Sequence, residues 1–248
     1  MTSPRSPDIL TRDILLDGTL DRMVARSMPD IRLLTEDERR YSLDQVLAAR
    51  PQGPCWLFAY GSLLWNPTVP VLETRPARVQ GWHRSFCLST RAGRGSPDNP
   101  GLVLGLDRGG ACTGAGLRLP EDGLRDELAL LWRREMLTGS YVPRWVRLLD
   151  RVRPATAGTP PAVFGHAIAF TMNRQSTQYC GRLDTVELVR RLATARGELG
   201  SSSDYLFGTR DGLRALGIRD PAVERLAASV SAWQGEAADA GPGEPGSV

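Results

Sequence analysis

The chain has 248 residues, 41% of them hydrophobic and 24% charged, enough to bury a core without help from disulfides or metals. Its 31 basic residues are all arginine, which excludes chemistries that need a lysine amine: P-loop phosphate binding, the protein-kinase strand lysine and Schiff-base catalysis. A net charge of +3, spread among Asp and Glu with no basic block, offers no footing for nucleic acid, yet it can gather an anionic small molecule in a cleft.

Residues Met1 to Pro7 are polar and carry proline, and disorder is expected there. Asp8, Asp13 and Asp17 interrupt the first apolar run, so no secretory signal is expected. No stretch approaches the ~20 apolar residues of a membrane span. A cytoplasmic protein is the expectation. From Asp8 to Arg50 the pattern is helical, including a segment Ser42 to Arg50 with Ser42 as N-cap and Leu43, Val46 and Leu47 on one face. This leader, residues 1–50, reads as packing.

Between Cys55 and Arg174 the texture changes to short β-type runs broken by Gly and Pro: CWLFAY, RVQGWHRSFCLS, GLVLGLD, CTGAGLRL, WVRLLDRV and AVFGHAIAF. The RGGA between GLVLGLD and CTGAGLRL supplies paired glycines for positive φ and predicts a tight hairpin. One amphipathic helix is predicted from Glu121 to Leu137, stopping at Gly139. Three more follow, Asp184–Glu198, Ser203–Leu216 and Asp220–Trp233, with Asp184 and Ser203 as N-caps and Pro221 at a first helical position. The expected organisation is a β core over residues 51–234 with one inserted helix, flanked by the leader and by a disordered tail, 235–248.

Two places carry chemistry. In FAYGSLLW, Phe58 to Trp65, a strand runs into Gly-Ser, where a ligand can approach the backbone and the N–H groups of Gly61 to Leu63 can form a nest for a carboxylate. The same pattern also describes a plain strand and turn. Leu124, Leu128, Leu131 and Glu135 are spaced by four, three and four, which sets a carboxylate on the core-facing stripe of its helix. Burial there raises its pKa toward the range useful for proton transfer. A structural ion pair with Arg133, Arg134 or Arg144 is the alternative, although Arg133 and Arg134 are expected to point off that face. The four cysteines have no CxxC spacing and the histidines are only two, so no zinc site is expected; Cys55 and Cys87 read as small buried hydrophobes.

FAYGSLLW resembles the glycine-containing substrate loop of the ChaC family of γ-glutamylcyclotransferases, and WRREMLTGSY, Trp132 to Tyr141, is similar to that family's Arg-Glu segment preceding a Gly and a Tyr. GWHRSFCLSTRAGRGSPDNPGLVLGL and QYCGRL match in order and spacing, so the resemblance spans about Cys55 to Ile218. It implies an α+β fold, a small mixed β-barrel with one inserted catalytic helix and flanking N- and C-terminal helices. It also implies cleavage of glutathione into 5-oxoproline and cysteinylglycine without metal or coenzyme. Tyr60, Gly61, Ser62, Leu63 and Leu64 would then hold the γ-glutamyl end, Glu135 would be the general acid/base, and Arg84 and Tyr179 would match further substrate-binding positions. The leader has no counterpart in the shortest members. Two alternatives stay open: a sensor that binds γ-glutamyl metabolites without turnover, and a hydrolase using Ser62 or a cysteine with His83 or His166 as base. The latter lacks the GxSxG elbow and would release free glutamate.

Overall fold

Residues 10–150 and 161–239 are described in the computed structural model. The leader supplies three helices, α1 (Arg12–Leu16), α2 (Thr19–Ser27) and α3 (Glu36–Ala48). Thr35 caps α3 with a full capping box through Glu38, so this helix starts well before Ser42. Ser42 lies inside it, where its hydroxyl accepts a hydrogen bond from the Trp132 indole N–H (3.2 Å). The stretch Met1 to Pro7 lies outside the described residues.

Strands β1 (Trp56–Ala59), β2 (Glu73–Thr90), β3 (Gly101–Arg118), β4 (Tyr141–Asp150) and β5 (Val163–Met172) close a barrel in the order β1-β3-β2-β4-β5. Every neighbour pairing in that order is antiparallel, and β5 returns to β1 in parallel through Trp56↔Ala167 and Leu57↔Ile168. Helix α4 (Leu124–Glu135) is inserted between β3 and β4. After β5 come α5 (Thr185–Thr194), the two-residue strands β6 (Arg196–Gly197) and β7 (Gly200–Ser201), α6 (Ser202–Ala215) and α7 (Pro221–Asp239). The mixed α+β barrel with one inserted helix is thus the observed fold.

The hairpin expected at RGGA does not exist. β3 runs unbroken through it, paired with β2 from Thr90↔Gly101 to Glu73↔Arg118. The glycines do adopt positive φ, 102° at Gly109 and 67° at Gly110, but they form a bulge opposite Gly81, between the pairs Gln80↔Ala111 and Trp82↔Arg108. Local glycine chemistry is common to bulge and turn; what decides is that β2 offers a partner for both halves of β3.

Boundaries shift elsewhere for identifiable reasons. α4 spans only Leu124–Glu135, with Gly139 past its end in a left-handed conformation. α5 stops at Thr194 because Arg196 to Ser201 fold into the β6–β7 ribbon, and α6 is capped by Ser201 through a capping box with Asp204, two residues before Ser203. Asp184 and Pro221 occupy their predicted cap and first-turn positions. α7 continues to Asp239, so the first residues of the expected tail are helical. The remainder of that tail, and Arg151 and Val152 of the WVRLLDRV run, lie outside the described residues.

β1 is buried on both faces. Trp56 and Phe58 join the barrel core with Leu102, Leu104 and Leu206, whereas Leu57 and Ala59 pack with Leu128, Leu131 and Trp132 of α4. Period-two alternation therefore wedges the strand between the barrel interior and the inserted helix, and brings its C-terminal end beside the end of α4.

Candidate active site

Past Ala59 the chain turns into the site. Tyr60 buries its ring and donates its hydroxyl to the Phe170 carbonyl (2.7 Å). Ser62–Leu64 then form a single 3₁₀ turn in which Leu64 N–H bonds the Gly61 carbonyl (3.0 Å). Gly61 has φ −139°, an ordinary value, so its need for glycine is spatial: a Cβ there would sit 2.6 Å from the Tyr205 hydroxyl.

Glu135 is the last residue of α4, continuing the stripe of Leu124, Leu128 and Leu131, and its side chain is only 13% exposed. Burial pushes its carboxyl above the ordinary carboxylate range, against the pull of Arg134. The expectation that Arg134 points off this face is overturned, since its Nε lies 2.8 Å from Glu135 Oε1. The same guanidinium, 4% exposed, donates to the Asn66 carbonyl (2.5 Å) and to Ser62 Oγ (2.8 Å). A long side chain can curl across the open end of a helix, where no further turn blocks it. Arg134 thereby ties the turn after β1 to the carboxylate.

Two cavities meet at this carboxylate. The smaller is bounded by Tyr60, Gly61, Ser62 and Leu63 with Leu104 and Phe170 behind them. The larger, about 190 Å³, has a polar side of Arg94, Arg134, Ser140 and Gln178 and an apolar side of Leu20, Met23, Val24 and Met28 from the leader. Ser62, Glu135, Tyr141 and Tyr205 line both. The Tyr205 hydroxyl is pushed up in pKa by burial and by the Glu135 charge, while hydrogen bonds with Leu104 and Ser62 work against that rise. Tyr141 is raised well above its ordinary value, first by burial, and its hydroxyl donates to the Leu104 carbonyl (2.9 Å).

Of the residues singled out in the sequence, Tyr60, Gly61, Ser62, Leu63 and Glu135 converge here. Leu64 does not line either cavity; it packs against α6 at Gly212. Arg84 is also elsewhere. Its buried guanidinium donates to the carbonyls of Tyr60 (2.6 Å) and Thr113 (2.8 Å) and pairs with Asp220 at the start of α7, so it braces the loop from behind. Tyr179 bridges to Leu88 and donates its hydroxyl to Asp107 (3.0 Å), away from Glu135; its neighbour Gln178 is the residue that reaches the cavity.

Tyr205 and the leader residues carry no signal in the sequence, and no motif marks Tyr205; Arg134 is among the ion-pair partners the sequence offers for Glu135, and here it makes that contact. Tyr141 ends a matching segment but signals nothing by itself. Neither His83 nor His166 lines the cavities beside Ser62; His83 Nδ1 lies 3.1 Å from the Gly109 carbonyl at the bulge. Burial raises the Cys55 thiol to about 11 and the Cys87 thiol to about 12, which leaves both protonated and unreactive near neutral pH. Among the described residues no helix is long and apolar enough to cross a membrane, and no group of His, Cys, Asp and Glu is arranged to hold a metal ion.

Comparison with known proteins gives the same picture. A family model described as ChaC-like protein matches residues 55–233. The chain is 38% identical over 224 residues to the glutathione-specific γ-glutamylcyclotransferase of Escherichia coli K12, covering 90% of this chain and 92% of that one. It is 31% identical to γ-glutamylcyclotransferase 2-3 of Arabidopsis thaliana, over 71% of this chain and 87% of that one. The crystal structure of a yeast γ-glutamylcyclotransferase specific to glutathione superposes with a TM-score of 0.64 at 18% identity, covering 75% of this chain and 99% of that one, and so shares the fold. With the Gly61–Ser62 turn and the Arg134-Glu135 segment brought together by that fold, the chain belongs to the ChaC-like family.

Proposed function

We propose that the chain is a glutathione-specific γ-glutamylcyclotransferase, releasing 5-oxoproline and cysteinylglycine, with Glu135 as both base and acid. The observation that carries this reading is a buried carboxyl of raised pKa at the junction of two cavities, next to the Gly61–Ser62 turn. The names of the relatives support the substrate.

In this reading the γ-glutamyl end lies where the two cavities meet, its α-carboxylate facing the N–H groups of Gly61 to Leu63, and the scissile amide lies at Glu135. The α-ammonium gives one proton to water, and the free amine attacks the γ-carbonyl carbon to close a five-membered ring, an intramolecular step whose proximity the substrate itself provides. Glu135 takes the proton that the attacking nitrogen sheds and returns it to the cysteinyl nitrogen as the old amide bond breaks. A carboxyl held above its ordinary range is suited to both transfers. Arg134 restrains its position through the Nε contact and keeps Ser62 in register. No nucleophile on the protein is needed.

Residues 51–234 form the catalytic domain in this proposal, and the free cysteines suit a reducing, cytoplasmic setting. The test is incubation of purified protein with glutathione under reducing conditions, with 5-oxoproline and cysteinylglycine measured together. Free glutamate in place of 5-oxoproline would point to a hydrolase. Binding without any product would point to a sensor.

A further inference from the structure

The matched family residues begin at Cys55, yet one wall of the larger cavity comes from before them. Leu20, Met23, Val24 and Met28 share one face of α2 and its end, and they are buried at 8%, 6%, 6% and 3% exposure among Ala92, Leu130 and Leu137. This wall is fixed to the rest of the site. Arg12 makes a two-pronged contact with Glu127 of α4 (2.6 and 3.0 Å), and Asn66, after the substrate turn, donates to the Leu10 carbonyl (3.0 Å). Gln178 of the opposite wall points its amide at the Met28 sulfur (3.6 Å).

We propose that this face of the leader is a specificity element, receiving the side chain of the residue that follows the γ-glutamyl group. The inference rests on the reaction proposed above, which places the scissile amide at Glu135. The γ-glutamyl end then lies against the Gly61–Ser62 turn where the two cavities meet, and the leaving half extends from Glu135 along the larger cavity, whose leader side is thioether and aliphatic carbon. A thiol is soft and hydrogen-bonds weakly, so it loses little on leaving water for such a surface; a hydroxyl or a charge turned toward the leader side gives up its water and gains no hydrogen-bond partner from Leu20, Met23 or Val24. A glycine in its place leaves the wall facing a void. The leader thus favours cysteine at this position, by contacts independent of the γ-glutamyl grip.

The test compares glutathione with γ-Glu-Ser-Gly and γ-Glu-Gly-Gly, reading affinity by calorimetry and turnover by 5-oxoproline release. The wild-type protein is expected to prefer glutathione by roughly tenfold or more over each, the scale set by small changes in an apolar pocket. In Met23→Ala the preference over γ-Glu-Gly-Gly shrinks toward unity. In Val24→Thr, which keeps the shape of the wall but adds a hydroxyl, the preference over γ-Glu-Ser-Gly shrinks. Affinities for all three falling in parallel in folded variants, preferences unchanged in both, or equal or absent wild-type binding of the three would overturn the proposal. A wild-type protein that shows the affinity preference, loses it in the variants and yet forms no 5-oxoproline sinks the reaction while keeping the leader's role.

Discussion

Arg134 and Glu135 are adjacent in sequence and in contact in space, Nε to Oε1 at 2.8 Å, both nearly closed off from solvent. Consecutive helical residues leave the axis in different directions, so this contact exists only because Arg134 bends back over the last turn of α4. Its other hydrogen bonds, to the Asn66 carbonyl and Ser62 Oγ, share the guanidinium between carboxylate and the turn after β1. The ion-pair and catalytic readings of Glu135 are therefore compatible: in the proposed mechanism the arginine holds the carboxyl that transfers the proton.

Glu135→Gln keeps the shape and still accepts a hydrogen bond from Arg134, but it cannot exchange a proton. Turnover is expected to fall by roughly 100-fold or more, with glutathione affinity near wild type by calorimetry. Full activity in the folded variant would contradict the mechanism.

The raised pKa of Glu135 also dictates a pH dependence. As the base must be ionised to start the reaction, the acid limb of kcat/KM should lie above the ordinary carboxylate range. The stability effect has the opposite sense. Between the unfolded and the raised folded pKa the native state holds the extra proton, so stability falls as pH rises through that window. Urea unfolding at several pH values should show the difference between Glu135→Gln and wild type moving in favour of the variant over the same interval.

Gly61→Ala places a methyl 2.6 Å from the Tyr205 hydroxyl and should weaken glutathione binding strongly, with Gly61→Val abolishing it. Because the obstacle is one oxygen atom, the double variant Gly61→Ala/Tyr205→Phe should regain part of the lost affinity. Additive losses in the double-mutant cycle would show that the glycine is required for another reason.

Arg84→Met should act on stability. It removes a buried guanidinium from two carbonyls and leaves Asp220 without its partner, a cost of about 3 kcal/mol in urea unfolding. A substrate-binding arginine would instead raise KM with unfolding unchanged.

Legibility followed the range of the interactions involved. The strands, the stripe ending in Glu135, the cap at Asp184 and the first-turn Pro221 depend on a few neighbouring residues, and periodicity and residue type expose them. The RGGA bulge does not, because its glycines look the same whether the next segment folds back on itself or pairs with β2. Arg84 and Tyr179 stand in segments that match the family, but a match says nothing of which way a side chain faces. Arg84 lies on the strand that carries Trp82 and Phe86 toward the core, and its charge is met by carbonyls and Asp220. Tyr205 and the α2 face reach the site only through tertiary packing of α6 and the leader, for which the linear pattern holds no cue.

The parallel pairing of β1 with β5 has a consequence for synthesis. Joining the first barrel strand to the last closes a very long loop, a step that comes late in folding because its entropy must be lost before the contacts form. The site draws Ser62 from just after β1 and Tyr205 from α6, beyond β5. A nascent chain still on the ribosome therefore has no assembled cavity until α6 has left the exit tunnel.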